Sequence, residues 1–167
     1  MLLAGLDVGS TGCKVAVFSE SGEILGKTYR DYPVQRHNSS HEVDAKAIWE
    51  AVIQVIREAA EKFPGIGGLG VTSFGETFVL LDENDDPLLP AMLYTDPRGT
   101  VECAELTEKL CPEIIINTVG VAPAPMYSLP KLMWVRKNRP DIWSKVHRIC
   151  FVEDYIVYRL TGVHQTD

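Results

Sequence analysis

No stretch of this 167-residue sequence reaches the ~20 consecutive apolar residues that a bilayer-spanning helix requires. Its opening, Met1-Leu2-Leu3-Ala4-Gly5-Leu6-Asp7, has no basic leader, and the apolar run stops at Asp7. A soluble, cytoplasmic protein is expected. Clusters of positive charge are missing as well. The 16 Lys and Arg are scattered among 23 Asp and Glu, and the net charge is −7. Neither a groove that tracks phosphates nor a face for anionic lipid is indicated, so no nucleic-acid or membrane partner is expected. Cysteine is sparse: Cys13, Cys103, Cys111 and Cys150 lie far apart with no Cys-x-x-Cys, and they read as buried free thiols. There is no G-x-x-x-x-G-K-[ST], which excludes a P-loop, and no internal repeat or low-complexity linker. Asn38-Ser39-Ser40 fits the glycosylation pattern, but without a secretion signal it has no consequence.

What is present is 46% hydrophobic content, enough for one core, in a chain too short for two full domains. One domain, or part of one, is expected. Leu2 to Val8, Cys13 to Ser19 and Ile24 to Tyr32 read as strands joined by links so short that only antiparallel pairing is open to them. A polar loop, Gln35 to Glu42, comes next. From Asp44, a good N-cap, apolar residues recur at Ala45, Ile48, Trp49, Val52, Ile56, Ala59 and Phe63, a helical stripe that ends at Pro64-Gly65. Ile66 to Thr72 and Thr77 to Leu81 read as strands, and Asp82 to Asp86 as a solvated turn. Helices are expected from about Arg98 to Leu110, from Lys131 to Lys137 and from Asp154 to Leu160, with a strand at His147 to Val152. The result is an α/β domain whose mixed sheet opens with an antiparallel three-stranded meander and is flanked by helices.

Three segments carry candidate chemistry. In Asp7-Val8-Gly9-Ser10-Thr11-Gly12-Cys13-Lys14, two glycines let a phosphate approach the backbone while Ser10, Thr11 and Lys14 add donors, and Asp7 can hold Mg²⁺. The same letters also suit an ordinary hairpin turn. In Gly75-Glu76-Thr77, a carboxylate beside a glycine at a strand end can accept hydrogen bonds from neighbouring polyol hydroxyls; a solvated turn glutamate is the alternative. In Tyr94-Thr95-Asp96-Pro97-Arg98, Asp96 and Arg98 can bind sugar hydroxyls, or Asp96 can cap the next helix, or both. Gly65-Ile66-Gly67-Gly68-Leu69-Gly70 matches the G-x-G-x-x-G dinucleotide pattern, but it leaves a helix and enters a strand, the reverse of the order that pattern needs. His37 and His41 stand four apart in an expected loop with no third ligand, so no metal is assigned to them. Trp49, Trp134 and Trp143 sit at helical core spacing, which argues against a base-stacking platform.

In this order the segments resemble the FGGY carbohydrate kinases. Asp7-x-Gly9-Ser10-Thr11-Gly12-x-Lys14 is similar to that family's opening phosphate loop, and Gly75-Glu76-Thr77 with Leu80-Leu81-Asp82 is similar to its first substrate segment. Asp96-Pro97-Arg98 resembles its Trp-x-Asp-x-Arg element, with Tyr94 in the place of Trp. Met126 to Asn138 resembles the family's first signature. Glu153-Asp154-Tyr155 through Arg159-Leu160-Thr161-Gly162 to Thr166-Asp167 resembles the family's next stretch of chain.

The resemblance implies a two-domain kinase of the actin-like, ribonuclease-H-like superfamily, with ATP and Mg²⁺ and a small sugar or polyol substrate. Residues 1–167 then correspond to the front of the first, sugar-binding domain. The nucleotide domain and the general base, an aspartate, are expected beyond position 167. Asp7, Gly9, Ser10, Thr11, Gly12 and Lys14 are implied in phosphate contact, with Asp7 on the metal. Gly75, Glu76, Thr77, Asp96 and Arg98 are implied in substrate contact. Gly-Glu-Thr resembles the family's polyol and sugar-acid members and departs from the Gly-Gln-Met-His-Gly of typical xylulokinases, which counts against an ordinary xylulokinase, and Gly75 and Met126 depart from glycerol kinases; a ketopentose such as xylulose is the first expectation and gluconate or another polyol the second. A homodimer is the one protein partner expected. An actin-like ATPase, or a sugar-binding or regulatory fragment without catalysis, are the readings of another class.

Overall fold

The structure, a computed structural model, describes residues 1–37 and 39–166. Asn38 of the glycosylation pattern and Asp167 of the closing Thr166-Asp167 pair lie outside the described residues. The chain divides into two compact units. One comprises Met1–Val34, Val43–Gly75 and the residues from Cys150 onward; the other comprises Gln35–Glu42 and Glu76–Ile149.

The first unit is built on a four-stranded sheet in the order β3-β2-β1-β6. The strands β1 (Leu2–Val8), β2 (Gly12–Phe18) and β3 (Ile24–Asp31) form the expected antiparallel meander. The helix α1 (Ala45–Lys62) then returns the chain to β6 (Ile66–Ser73), which pairs in parallel with β1. Alternation along β1 and β2 sends Ala4, Leu6, Val8, Cys13, Val15 and Val17 into the core. Against them α1 buries Ala45, Ile48, Ala51, Val52, Val55 and Ala59, a stripe that takes in Ala51 and Val55 and leaves Trp49 and Ile56 at its margin. Asp44 is the N-cap, its carboxylate accepting from the Lys46 N–H at 2.8 Å. The Thr28 hydroxyl donates to the Val55 carbonyl at 3.0 Å and ties β3 to α1. The last helix of this unit is α6 (Val152–Thr161), which buries Val152, Asp154, Tyr155 and Ile156.

The second unit contains more regular structure than the sequence suggests. The expected polar loop at Gln35 to Glu42 instead falls largely within the strands β4 (Val34–His37) and β5 (Ser40–Val43), which join β8 (Ala91–Met92) in a sheet. Polar side chains satisfy an exposed ladder as well as a loop, and composition alone does not separate the two. The strand β7 (Phe78–Leu81) starts one residue later than expected and buries all four residues. Phe78 and Leu80 form a cluster with Met92 and Val135, bordered by Leu132, Trp134 and Trp143. The helices are α2 (Thr100–Leu110), α3 (Pro112–Val119), α4 (Ser128–Asn138) and the short α5 (Pro140–Trp143). Of these α3 and α5 are unanticipated. Ile114-Ile115-Ile116 has the β-branched composition of a strand, but Pro112 at the first turn and left-handed Gly120 at the end frame a helix. The strand β9 (Arg148–Phe151) leads into α6. All four cysteines are free, and Cys111 is exposed, contrary to the expectation of four buried thiols.

Candidate active site

In the first unit the Asp7 to Lys14 segment is the turn between β1 and β2. Antiparallel register places Asp7 opposite Lys14, and the two side chains meet at 2.7 Å. Both are open to solvent, and the Asp7 carboxylate raises the pKa of the Lys14 ammonium. The Gly9 N–H donates to the Gly12 carbonyl at 2.9 Å, so that donor is engaged within the turn. The Ser10 and Thr11 hydroxyls have no partner among the described hydrogen bonds. Gly12 has a packing reason of its own: a Cβ there would lie 2.4 Å from the Tyr29 hydroxyl and 2.6 Å from the Arg30 carbonyl. The segment is therefore a tight hairpin whose exposed rim carries two unpartnered hydroxyls, a carboxylate and an ammonium. One exposed carboxylate suits Mg²⁺, which is commonly held by one or two carboxylates together with phosphate oxygens.

In the second unit Glu76 lies at φ 59, a left-handed conformation that costs a non-glycine residue of order 1 kcal/mol. Its Oε2 accepts from the Ser128 N–H and the Ser128 hydroxyl, both at 3.0 Å. The carboxylate thus sits at the N-terminus of α4, where the helix dipole favours a negative charge. Its Oε1 has no partner among the described hydrogen bonds, and Glu76 is one of the residues lining a half-enclosed cavity of about 390 Å³. Thr77 is fully buried, and its hydroxyl has no hydrogen-bond partner. A Cβ on Gly75 would meet nothing within 4 Å.

Asp96 and Arg98 are engaged with their own surroundings. Asp96 Oδ1 accepts from the Arg98 N–H at 3.0 Å and from Arg98 Nε at 2.8 Å; Oδ2 accepts from the His41 N–H at 2.7 Å and from Arg98 Nη2 at 2.6 Å. Arg98 Nη2 also donates to Glu42 at 2.6 Å, and the guanidinium stacks over Trp134 with its carbon 5.1 Å from the ring centre. Burial opposes the charge on Asp96, but the hydrogen bonds from Arg98 and His41 prevail and hold its carboxyl below the usual range. Asp96 does not cap α2, whose N-cap is the left-handed Gly99 with no side-chain bond. The pair braces the loop that precedes α2, with both Asp96 oxygens occupied.

A family model described as the FGGY family of carbohydrate kinases, N-terminal domain, matches residues 2–167. This chain belongs to the FGGY family of carbohydrate kinases. It is 29% identical to a xylulose kinase of Escherichia coli over 166 residues, covering 98% of this chain and 34% of that protein. It is 30% identical to a glycerol kinase of Thermococcus onnurineus, covering 99% of this chain and 35% of that protein. The structure described as xylulose kinase from Rhodospirillum rubrum superposes with a TM-score of 0.95 at 25% identity, over 100% of this chain and 35% of that one. The mixed α/β architecture expected from the sequence is the one these sugar kinases have. The chain spans about a third of the length of the relatives it matches.

Two residues of this FGGY chain matter to the candidate site and were not singled out from the sequence. The Tyr32 hydroxyl donates to the Gly9 carbonyl and reaches the Gly12 carbonyl at 3.4 Å, while the Tyr32 N–H donates to the Thr11 carbonyl at 3.3 Å. Burial raises the pKa of this phenol, so it stays a donor and clamps the turn from below. Lys131 is fully buried on α4, and its ammonium donates to the Met126 carbonyl at 2.9 Å and the Tyr94 carbonyl at 3.3 Å. Desolvation lowers its pKa, opposed by the charges of Asp96 and Glu76. A signal for Lys131 was available. It falls four residues before the buried Val135, on the inward face of its helix. For Tyr32 there was none, because only the folded chain brings its ring beneath the turn.

Proposed function

We propose that this chain forms the sugar-binding part of an ATP-dependent kinase that transfers the γ-phosphate to a hydroxyl of a small sugar or polyol. The observation that carries the reading is Glu76, in a chain of the FGGY family. One of its oxygens is fixed by Ser128 at a helix N-terminus, the other has no partner among the described hydrogen bonds, and the residue lines a cavity. A strained backbone held by two hydrogen bonds is a site built in advance, and a free carboxylate oxygen accepts hydroxyl protons. Lys131 ties the Tyr94 and Met126 carbonyls together, and the Asp96–Arg98 brace positions the loop that carries Tyr94.

The Asp7 to Lys14 turn is assigned to the transferred phosphate, with Ser10, Thr11 and Lys14 as donors and Asp7 as the residue that holds Mg²⁺. The metal supplies neutralisation of phosphate charge, as in phosphoryl transfer generally. The general base is placed beyond position 167. A ketopentose such as xylulose is the first substrate proposed and gluconate or another polyol the second; the cytoplasm is the proposed location. The test is kinetics of the full-length enzyme against pentuloses, polyols and gluconate. Glu76→Ala should cut kcat/KM for the sugar by roughly one to four decades, the loss of one or two charge-assisted hydrogen bonds of ~1.5–3 kcal/mol at ~1.4 kcal/mol per decade. The KM for ATP should hardly move. A change well under one decade returns Glu76 to the role of a solvated turn residue.

A further inference from the structure

Lys131 stands where a cation is costly. It is fully buried in the first turn of α4, at the helix end whose dipole disfavours positive charge. Burial lowers the pKa of its ammonium, against the charges of Asp96 and Glu76, and it joins no ion pair among the described residues. Its acceptors are two neutral oxygens, the Met126 carbonyl at 2.9 Å and the Tyr94 carbonyl at 3.3 Å, and the third N–H has no acceptor among the described hydrogen bonds. A methionine of similar length would fill this space with no charge to desolvate, so packing gives no reason for a lysine here. The reason lies in what the ammonium holds. Tyr94 opens the loop braced by Asp96 and Arg98, Met126 belongs to the α3–α4 connection, and Glu76 is bonded to Ser128 in the same helical turn. One turn of α4 thus fixes three separate segments of the second unit.

We propose that Lys131 is a positioning residue of the sugar site, tying the Tyr94 loop and the α3–α4 connection to the helical turn that anchors Glu76, and that it does so without adding to the stability of the fold. The inference rests on the kinase reading for the identity of the ligand. A sugar that meets segments already in place does not have to order them, and that saving appears as affinity. The charge of the lysine is the means: an ammonium binds two carbonyls more firmly than a neutral donor does, and it is tolerated in the interior because Asp96 and Glu76 oppose the effect of burial.

The experiment compares wild type, Lys131→Met and Val135→Ala in the full-length enzyme. Kinetics are measured on the pentulose, polyol or gluconate that the wild type turns over best, calorimetric Kd on a panel of those compounds without ATP, and the melting temperature on each protein. Lys131→Met should raise the sugar KM and Kd about tenfold or more, the scale of one charge-assisted hydrogen bond. Its kcat should stay within about threefold and its KM for ATP should hold, because a bound sugar orders the segments itself. Its melting temperature should lie within about 2 °C of the wild type or above it. Val135→Ala, which empties part of the cluster with Phe78, Leu80 and Met92, should show the opposite pattern, a lower melting temperature with the sugar Kd unchanged. An unchanged sugar KM and Kd in Lys131→Met, an equal rise in the KM for ATP, a melting temperature as low as that of Val135→Ala, or a variant that does not fold overturns the inference, while turnover by the wild type keeps the kinase reading. Sugar binding weakened in Lys131→Met, with no compound phosphorylated by the wild type, overturns the kinase reading and supports the positioning role. No binding of any compound by the wild type overturns both.

Discussion

Tyr32 shows how one side chain can hold a phosphate-facing turn without lying on its exposed rim. Its hydroxyl serves two carbonyls of the Gly9 to Gly12 turn from the buried side, leaving Ser10, Thr11 and Lys14 outward. Tyr32→Phe keeps the ring and removes that donor, so the half-buried Gly9 carbonyl loses a partner at a cost of about 1 kcal/mol. Urea unfolding should show a lower midpoint with an unchanged slope. In the full-length enzyme the KM for ATP should rise while that for sugar holds; unchanged stability together with an unchanged KM for ATP would remove the clamp.

Asp96 has a pH signature. Its carboxyl is held below the usual range in the folded chain, so its contribution is fully present above the unfolded value of ~3.9 and is lost as pH falls through the lower folded value. Fluorescence of Trp134, which lies under the Arg98 guanidinium, should report an acid transition below about pH 4. Asp96→Asn should lower stability at neutral pH and flatten this acid limb, and an unaltered acid limb in the variant would assign the transition to other carboxylates. Removing Arg98 instead leaves Asp96 charged and uncompensated, which costs about 3–5 kcal/mol for a buried pair.

At the scale of elements, α4 gathers the parts of the candidate sugar site. Its N-terminus is gripped by Glu76 through Ser128, its buried Lys131 ties down the Tyr94 and Met126 carbonyls, and its Trp134 lies under Arg98. The close approach of α2 to α4 depends on Gly99, at φ 95. A Cβ there would stand 2.9 Å from the Pro130 carbonyl carbon and 3.0 Å from the Lys131 nitrogen. Both obstacles are backbone and neither can rotate away. Gly99→Ala should therefore destabilise the second unit by more than ~1 kcal/mol, from overpacking added to the strain of positive φ. Gly75→Ala, whose Cβ meets open space, should stay within about ±0.5 kcal/mol. Paired denaturation curves check the contrast, and equal effects at the two positions would mean that the α2–α4 contact yields.

At the scale of the whole molecule, the chain holds a third of the length of its relatives, and its two units carry different parts of the proposed chemistry: the phosphate turn in one, Glu76 and its cavity in the other. A polypeptide of residues 1–167 alone is expected to show no sugar-kinase turnover in a coupled assay. Turnover above background that Asp7→Asn abolishes would place the general base within these residues. The sequence by itself determined the meander, the α1 crossover and its Asp44 cap, because short links, period-two alternation and period-3.6 stripes are local properties of the chain. It also placed Glu76 at a strand end and carried the ordered motifs of the family. Only the tertiary structure decided which polar groups remain available. Asp96 and Arg98, expected in substrate contact, are bonded to each other, Glu42 and His41, while Glu76 keeps one oxygen without a partner among the described hydrogen bonds. Pairings across 52 to 56 residues leave no periodic trace, since a hydrogen bond depends on where two segments meet and not on the spacing within either.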